Sequence, residues 1–211
     1  KLNEVARLDI AGFYHEDDAD RTIIHVFGRT ANADPHIYYY RQYDYRRWTP
    51  WEKVEVDIVG DHLIPMVVNK RLYIFWPEFR EEPDDEMNNN VDIPNEGEED
   101  SSLPPTYKRT QLRLAGSEYR NGKWTPKKIS KDYFLTHSYI RNFDTKSIRF
   151  FPVTGKDGER AGIKFQRPRG IYWLDTQSDP KAQPLERESV SNSGVSEEVK
   201  FTLPDYGIIS R

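Results

Sequence analysis

Three consecutive tyrosines, Tyr38-Tyr39-Tyr40, stand just ahead of Trp48 and Trp51. In an extended segment Tyr38 and Tyr40 share one face. Aromatic faces bind the C–H faces of sugars, so Tyr38, Tyr40 and Trp51 are the candidate glycan-stacking residues. Cross-strand packing uses the same residue types and is the simpler reading. The histidines, His15, His25, His36, His62 and His137, show no metal-ligand spacing such as H-E-x-x-H. The run His15-Glu16-Asp17-Asp18-Ala19-Asp20 could attract a hard cation, but the Asp-x-Asp-x-Asp-Gly loop pattern is absent and a solvated turn is the default. With no cysteine there is neither a disulfide nor a thiolate site. No metal and no cofactor is expected.

Catalytic patterns fare no better. Sialidase chemistry needs an arginine cluster, a tyrosine nucleophile with a glutamate base, and an aspartate acid. All four types are plentiful here, so their counts decide nothing. The Ser-x-Asp-x-Gly-x-Thr-Trp marker of sialidase propellers does not occur, nor does a G-x-S-x-G elbow, a P-loop or a G-x-G-x-x-G turn. The expectation is a protein without catalytic residues, not an enzyme.

Charge is concentrated in one place. Eleven acids and a single base, Arg80, lie between Glu78 and Asp100. The remainder is mildly and diffusely basic, which does not suggest nucleic acid as a partner. Crowded carboxylates raise one another's pKa values, and acidification charges histidine before it neutralises carboxylates. His62, His137, Asp84, Asp85, Glu98 and Glu99 are therefore the candidate pH-responsive residues. Residues 81–106, rich in Asp, Glu, Asn and Pro, read as a disordered insertion by composition, and residues 81–104 are expected to be dispensable for folding. Ser189 to Ser196 reads as a second flexible stretch.

The elements that must carry these residues are short and alternating. In 211 residues with mean hydropathy −0.87, no apolar run approaches a bilayer span. The N-terminus does not begin with Met and has no signal peptide, so the expectation is a piece of a longer chain. Val5–Tyr14, Thr22–Phe27, His36–Tyr43 and Trp48–Asp57 read as strands of one four-stranded unit. His62–Val68, Arg71–Phe79, Lys108–Tyr119 and Trp124–Ser130 read as a second. Ile148–Val153, Gly162–Gln166 and Gly170–Leu174 begin a third, and Phe201–Leu203 and Tyr206–Ile209 read as late strands.

Arg47-Trp48-Thr49-Pro50 repeats as Lys123-Trp124-Thr125-Pro126, each copy after an apolar strand and a polar turn. With residues 81–106 set aside, the period is about 50, a fitting length for one blade of a β-propeller. The fold expected is all-β and antiparallel, with propeller-like four-stranded blades too few to close a ring. Trp48 and Trp124 are expected at equivalent places, as structural parts of their blades. Residues 1–80 form blade-like units, 81–106 the acidic insertion, and 107–211 the continuation of the same β domain.

Several segments in order resemble one family. They are Leu2-Asn3-Glu4-Val5-Ala6-Arg7-Leu8, His25-Val26-Phe27-Gly28-Arg29-Thr30, His36-Ile37-Tyr38-Tyr39-Tyr40-Arg41 and Trp48-Thr49-Pro50-Trp51-Glu52-Lys53-Val54, followed by Gly60-Asp61-His62-Leu63-Ile64-Pro65 and Arg71-Leu72-Tyr73-Ile74-Phe75-Trp76-Pro77. Together they resemble the neuraminidase-like region of the A component of bacterial insecticidal toxin complexes, densely over residues 1–80. The resemblance implies a secreted, pentameric assembly with an α-helical shell around a translocation channel. It implies that this β module helps close the distal end of the shell, which opens on a pH shift so that the channel enters the host membrane. It implies a fold name rather than an activity. Implied partners are the other subunits of the A component; a host surface glycan or receptor is the alternative. The module itself is not membrane-spanning.

Overall fold

The computed structural model describes residues 5, 7–18, 21–85, 108–131, 133–136, 145–154, 161–166, 170–176 and 197–203. They form three β-sheets and, apart from one 3-10 turn at Thr145–Ser147, no helix of defined extent. The sheets do not close into a barrel.

The first sheet is a four-stranded antiparallel meander of β1 (Leu8–Asp18), β2 (Arg21–Thr30), β3 (Tyr38–Tyr43) and β4 (Glu52–Lys53). These are the four strands of the first expected unit, in the expected order. The second sheet holds β5 (Ile64–Val68), β6 (Arg71–Pro83) and β7 (Lys108–Arg120), with β8 (Lys123–Trp124), β9 (Lys128–Ile129) and β10 (Phe134–Thr136) all pairing with β7. Asn69 and Lys70, both at positive φ (50° and 59°), make the two-residue turn between β5 and β6, the geometry whose twist suits a tight hairpin. The third sheet runs β11 (Arg149–Thr154), β12 (Ala161–Gln166), β13 (Gly170–Thr176) and β14 (Glu197–Leu203).

Several elements differ from the sequence reading: the strand read over Val5–Tyr14 runs Leu8–Asp18, that over Trp48–Asp57 is confined to Glu52–Lys53, and that over Trp124–Ser130 is split into β8 and β9. β6 continues to Pro83, and Glu81, Glu82 and Pro83 pair with Thr110, Arg109 and Lys108 of β7. The ladder therefore extends into the range read as insertion, because backbone pairing is indifferent to side-chain acidity once a partner strand lies alongside. In the third sheet β14 lies parallel to β13, the one parallel pair among these strands. The connection between them is long enough for the crossover that parallel pairing demands. Phe201–Leu203 falls in β14; Tyr206–Ile209, Ser189–Ser196 and residues 86–107 lie outside the described residues.

Period-two alternation on β6 explains how the layers stack. Leu72, Ile74 and Trp76 belong to a core shared with Phe27, Tyr38 and Tyr40 of the first sheet. Tyr73 and Phe75 belong to a core shared with Ile163, Phe165 and Leu174 of the third. A strand buried on both faces is apolar continuously rather than alternately, hence the run Leu72-Tyr73-Ile74-Phe75-Trp76. At Gly12 a Cβ would lie 2.8 Å from Pro65 Cδ and 2.9 Å from the Leu63 carbonyl. Only glycine permits the first two sheets to approach this closely there.

Candidate functional site

The register places Tyr38 and Tyr40 on the face of the first sheet that meets the second. Both are buried, at 2% and 3% exposure. The Tyr40 ring lies 4.9 Å from Phe27, 5.2 Å from Tyr119 and 5.7 Å from Trp124, centroid to centroid. The Tyr38 hydroxyl donates to the Gly60 carbonyl at 2.9 Å. The stacking platform drawn from Tyr38, Tyr40 and Trp51 is corrected accordingly: the two tyrosines are packing residues, because the second sheet covers their faces. Trp51 lies on the opposite face, partly buried, with the Arg41 guanidinium 4.4 Å over its ring.

Tyr40 also ends a buried polar chain. Its hydroxyl donates to Gln42 Oε1 at 3.0 Å and lies 2.9 Å from His25 Nδ1. His25 Nε2 lies 3.1 Å from Glu16 Oε2. Glu16, His25 and Tyr40 come from β1, β2 and β3, so the chain exists only through strand register. One sequence signal points to it: His25 sits between Ile23 and Phe27 on the core-facing positions of its strand, where a polar residue needs a partner.

A second polar cluster centres on Asp61. Arg29 Nη1 donates to its carboxylate at 3.0 Å, His36 Nε2 lies 3.3 Å away and Lys146 Nζ 3.4 Å away. Burial would raise the Asp61 pKa, but Lys146, Arg29 and His36 outweigh it and hold the carboxyl low. His62, next in the chain, donates from Nε2 to the Thr145 carbonyl at 3.0 Å and packs 5.1 Å from the Phe150 ring. Asp61 and His62 thus tie the first sheet to the start of the third.

The other candidates are scattered. Asp84 is buried and Asp85 exposed at the end of β6. Glu82 accepts hydrogen bonds from Arg109 and Gln111 across the ladder, and its bond raises the Arg109 pKa. Lys127 pairs with Glu78 at 2.9 Å, which with Asp57 raises its pKa. His137, Glu98 and Glu99 lie outside the described residues. Arg71 and Arg120 both approach Glu118, each at 3.9 Å. The carboxylate between these two arginines is thus the chain's own. Among the described residues no group of three His, Asp or Glu is placed to hold a metal ion.

The repeat is carried into the fold. Trp48 bridges Tyr43 as Trp124 pairs with Tyr119. The family model described as a neuraminidase-like domain matches residues 8–160, which span the first two sheets and the start of the third. The chain belongs to the neuraminidase-like domain family. No curated protein matches the sequence. Among solved structures the domain is similar to TcdA4 of Morganella morganii, determined by cryo-EM, with a TM-score of 0.52 and 15% identity over 85% of this chain. It spans 7% of the length of that chain. The neuraminidase-like identity read from the segments at Leu2–Leu8 through Arg71–Pro77 therefore holds for the family. At this identity the likeness to TcdA4 is one of fold.

Proposed function

We propose that this neuraminidase-like domain is a non-catalytic structural module of a bacterial toxin-complex A component. In this reading it belongs to a large, secreted, oligomeric assembly, pentameric by the resemblance. It helps close the distal end of the shell and contributes to the pH-triggered opening that precedes translocation. The observation that carries the reading is the family match over residues 8–160, on a fold shared with TcdA4. The role as a packing layer is supported by the sheet stack, in which Tyr38 and Tyr40 are spent on a core. The absence of catalysis is supported by Arg29, Arg71, Arg109 and Arg120, each of which faces a carboxylate of this chain. Turnover of a fluorogenic sialoside by the purified chain would overturn the non-catalytic reading.

The pH contribution is assigned to the acidic segment and to His62 and His137. The test is channel insertion by the full assembly as a function of pH, with Asp84, Asp85, Glu98 and Glu99 changed to amides. The expected result is a moved opening threshold, and an unmoved one removes the segment from the mechanism. The second reading is a module that binds host surface glycan or a receptor. It keeps only Trp51 of its original platform, and saturable, sugar-specific binding on a glycan array, lost in Trp51→Ala, would favour it.

A further inference from the structure

The two copies of the Trp-Thr-Pro repeat share their strand pairing in different company, although the turns before them differ, Gly122 being at positive φ and its counterpart Arg46 not. Every pairing of the first copy recurs in the second with 76 added to both numbers. Tyr39 and Lys53 pair, as do Ala115 and Ile129; Tyr40 and Glu52 pair, as do Gly116 and Lys128. The Val54 amide donates to the Tyr38 carbonyl at 2.9 Å, and the Ser130 amide to the Leu114 carbonyl at 2.8 Å. Tyr45 and Asn121 hold the same turn position at positive φ, 63° and 50°. Equivalent residues therefore point the same way from their sheets. Tyr38 turns into the core between the first and second sheets, and its counterpart Leu114 into the core between the second and third.

The other faces correspond too, and there the copies part. In the second sheet, Tyr119 and Trp124, 5.0 Å apart, are covered by Phe27 and Tyr40 of the first sheet, which lie 5.8 and 5.7 Å from the Trp124 ring. Their counterparts Tyr43 and Trp48, 4.8 Å apart, lie on the outer face of the first sheet, where Trp48 is 44% exposed. Cross-strand register puts Phe13, Val26 and Arg41 on that same face, with His15, Ile24 and Tyr43 beside them. Phe13 is 68% exposed, Ile10 61% and Tyr45 53%. A cluster of large exposed apolar side chains on one sheet face marks an interaction surface.

We infer that this outer face is a docking surface for a further antiparallel β-sheet, which packs on Tyr43 and Trp48 as the first sheet packs on Tyr119 and Trp124. The repeat specifies the occupant's chemistry. It presents aromatic side chains where the first sheet presents Phe27 and Tyr40. Tyr43 and Trp48 are kept as Tyr119 and Trp124, but Tyr39, Trp51 and Lys53 stand where the second sheet has Ala115, Lys127 and Ile129, and Arg41 stands where it has the small Ser117, its guanidinium 4.2 Å from Trp48 and 4.4 Å from Trp51. The occupant must therefore leave room for, or ion-pair with, the Arg41 cation. The three sheets formed by the described residues cannot supply the covering sheet, because the second is already held between the other two. The solved relative runs far beyond the matched part, this chain covering 7% of it, and flanking sequence is the source proposed. The inference rests on the repeat and not on the toxin reading.

The test uses the absence of cysteine from the chain. Phe13→Cys and Lys128→Cys are made singly, in the 211-residue chain and in the chain extended by its native flanking sequence. Maleimide labelling is followed by peptide mass spectrometry. The expected result is rapid labelling at both positions in the 211-residue chain, and at least about tenfold protection at Phe13→Cys alone in the extended chain. Equal labelling of Phe13→Cys in the two overturns the proposal. Protection that appears in the shorter chain and grows with its concentration also overturns it, since the occupant is then a second copy. Trp48→Ser provides an independent check: it should lower the melting temperature more in the extended chain than in the short one, and an equal shift counts against a covering sheet.

Discussion

Thr49 and Thr125, 76 residues apart in sequence, make the same pair of hydrogen bonds on two different sheets. The Thr49 amide donates to the Gln42 carbonyl at 2.9 Å while its hydroxyl accepts from the Gln42 amide at 3.0 Å. The Thr125 amide donates to the Glu118 carbonyl at 2.8 Å and its hydroxyl accepts from the Glu118 amide at 2.9 Å. A side-chain oxygen here takes the place of a backbone acceptor, and the Thr125 carbonyl instead accepts from the Ser117 hydroxyl at 2.7 Å. Alanine at either position deprives a partly buried amide of its acceptor. Each substitution should cost about 1 kcal/mol, with the two costs similar in chemical denaturation. A cost at Thr49 only would show that the two bonds are not energetically equivalent.

Trp124 and Trp48 should behave differently despite their equivalence. Trp124→Ala opens a gap between the first two sheets beside Phe27 and Tyr40. Because Trp124 is partly rather than fully buried, the cost should be about 2–3 kcal/mol, below that of a core Trp. Trp48→Ala in the same 211-residue chain loses its stack on Tyr43 and the Arg41 cation–π contact, about 1 kcal/mol. Urea midpoints of the two variants, read side by side, check the ordering.

Asp61 links stability to pH at the acid end. Its pKa is held low in the folded chain by Lys146, Arg29 and His36 against the opposing effect of burial. The unfolded chain then binds the proton more readily, so the contribution is present above the ordinary carboxylate range and is lost as pH falls through the folded value. Asp61→Asn should therefore be less stable than the parent at neutral pH, and the gap should close on acidification. Thermal melts across pH 3 to 7 test this, about the range in which carboxylates titrate, and a gap constant with pH would remove the electrostatic explanation.

Tyr119 does the reverse at the alkaline end. Burial, then the Glu52 carboxylate that its hydroxyl meets at 2.8 Å, push its phenol up to about 12. Between the ordinary phenol value, ~10, and that figure the unfolded chain is ionised and the folded chain is not. Stability falls as pH rises through this window. Tyr119→Phe should lose its disadvantage to the parent there, measured as converging denaturation midpoints. Tyr14 and Tyr38, also raised by burial, contribute a background unaffected by the substitution.

The strands and the repeat are legible in the sequence because they are local. Alternation in Thr22–Phe27 and His36–Tyr43, the turn residues between them and the Trp-Thr-Pro copies need only a few neighbouring residues to recognise, and the structure keeps all of them. The ordered segments at Leu2–Leu8 through Arg71–Pro77 also suffice to indicate the family. What lies above each strand is a property of distant segments, and only tertiary structure decides it. Tyr38 and Tyr40 look like an open platform until β6 brings Ile74 and Trp76 against their side of the sheet. Glu16, His25 and Tyr40 become neighbours through the register of three strands. Glu81 and Glu82 look like part of a solvated run until β7 lies alongside and supplies Lys108 and Arg109. Trp48 and Trp124 show the division most directly: the shared Trp-Thr-Pro gives the same strand pairing, while a covering sheet partly buries the Trp124 ring and leaves Trp48 exposed on an outer face.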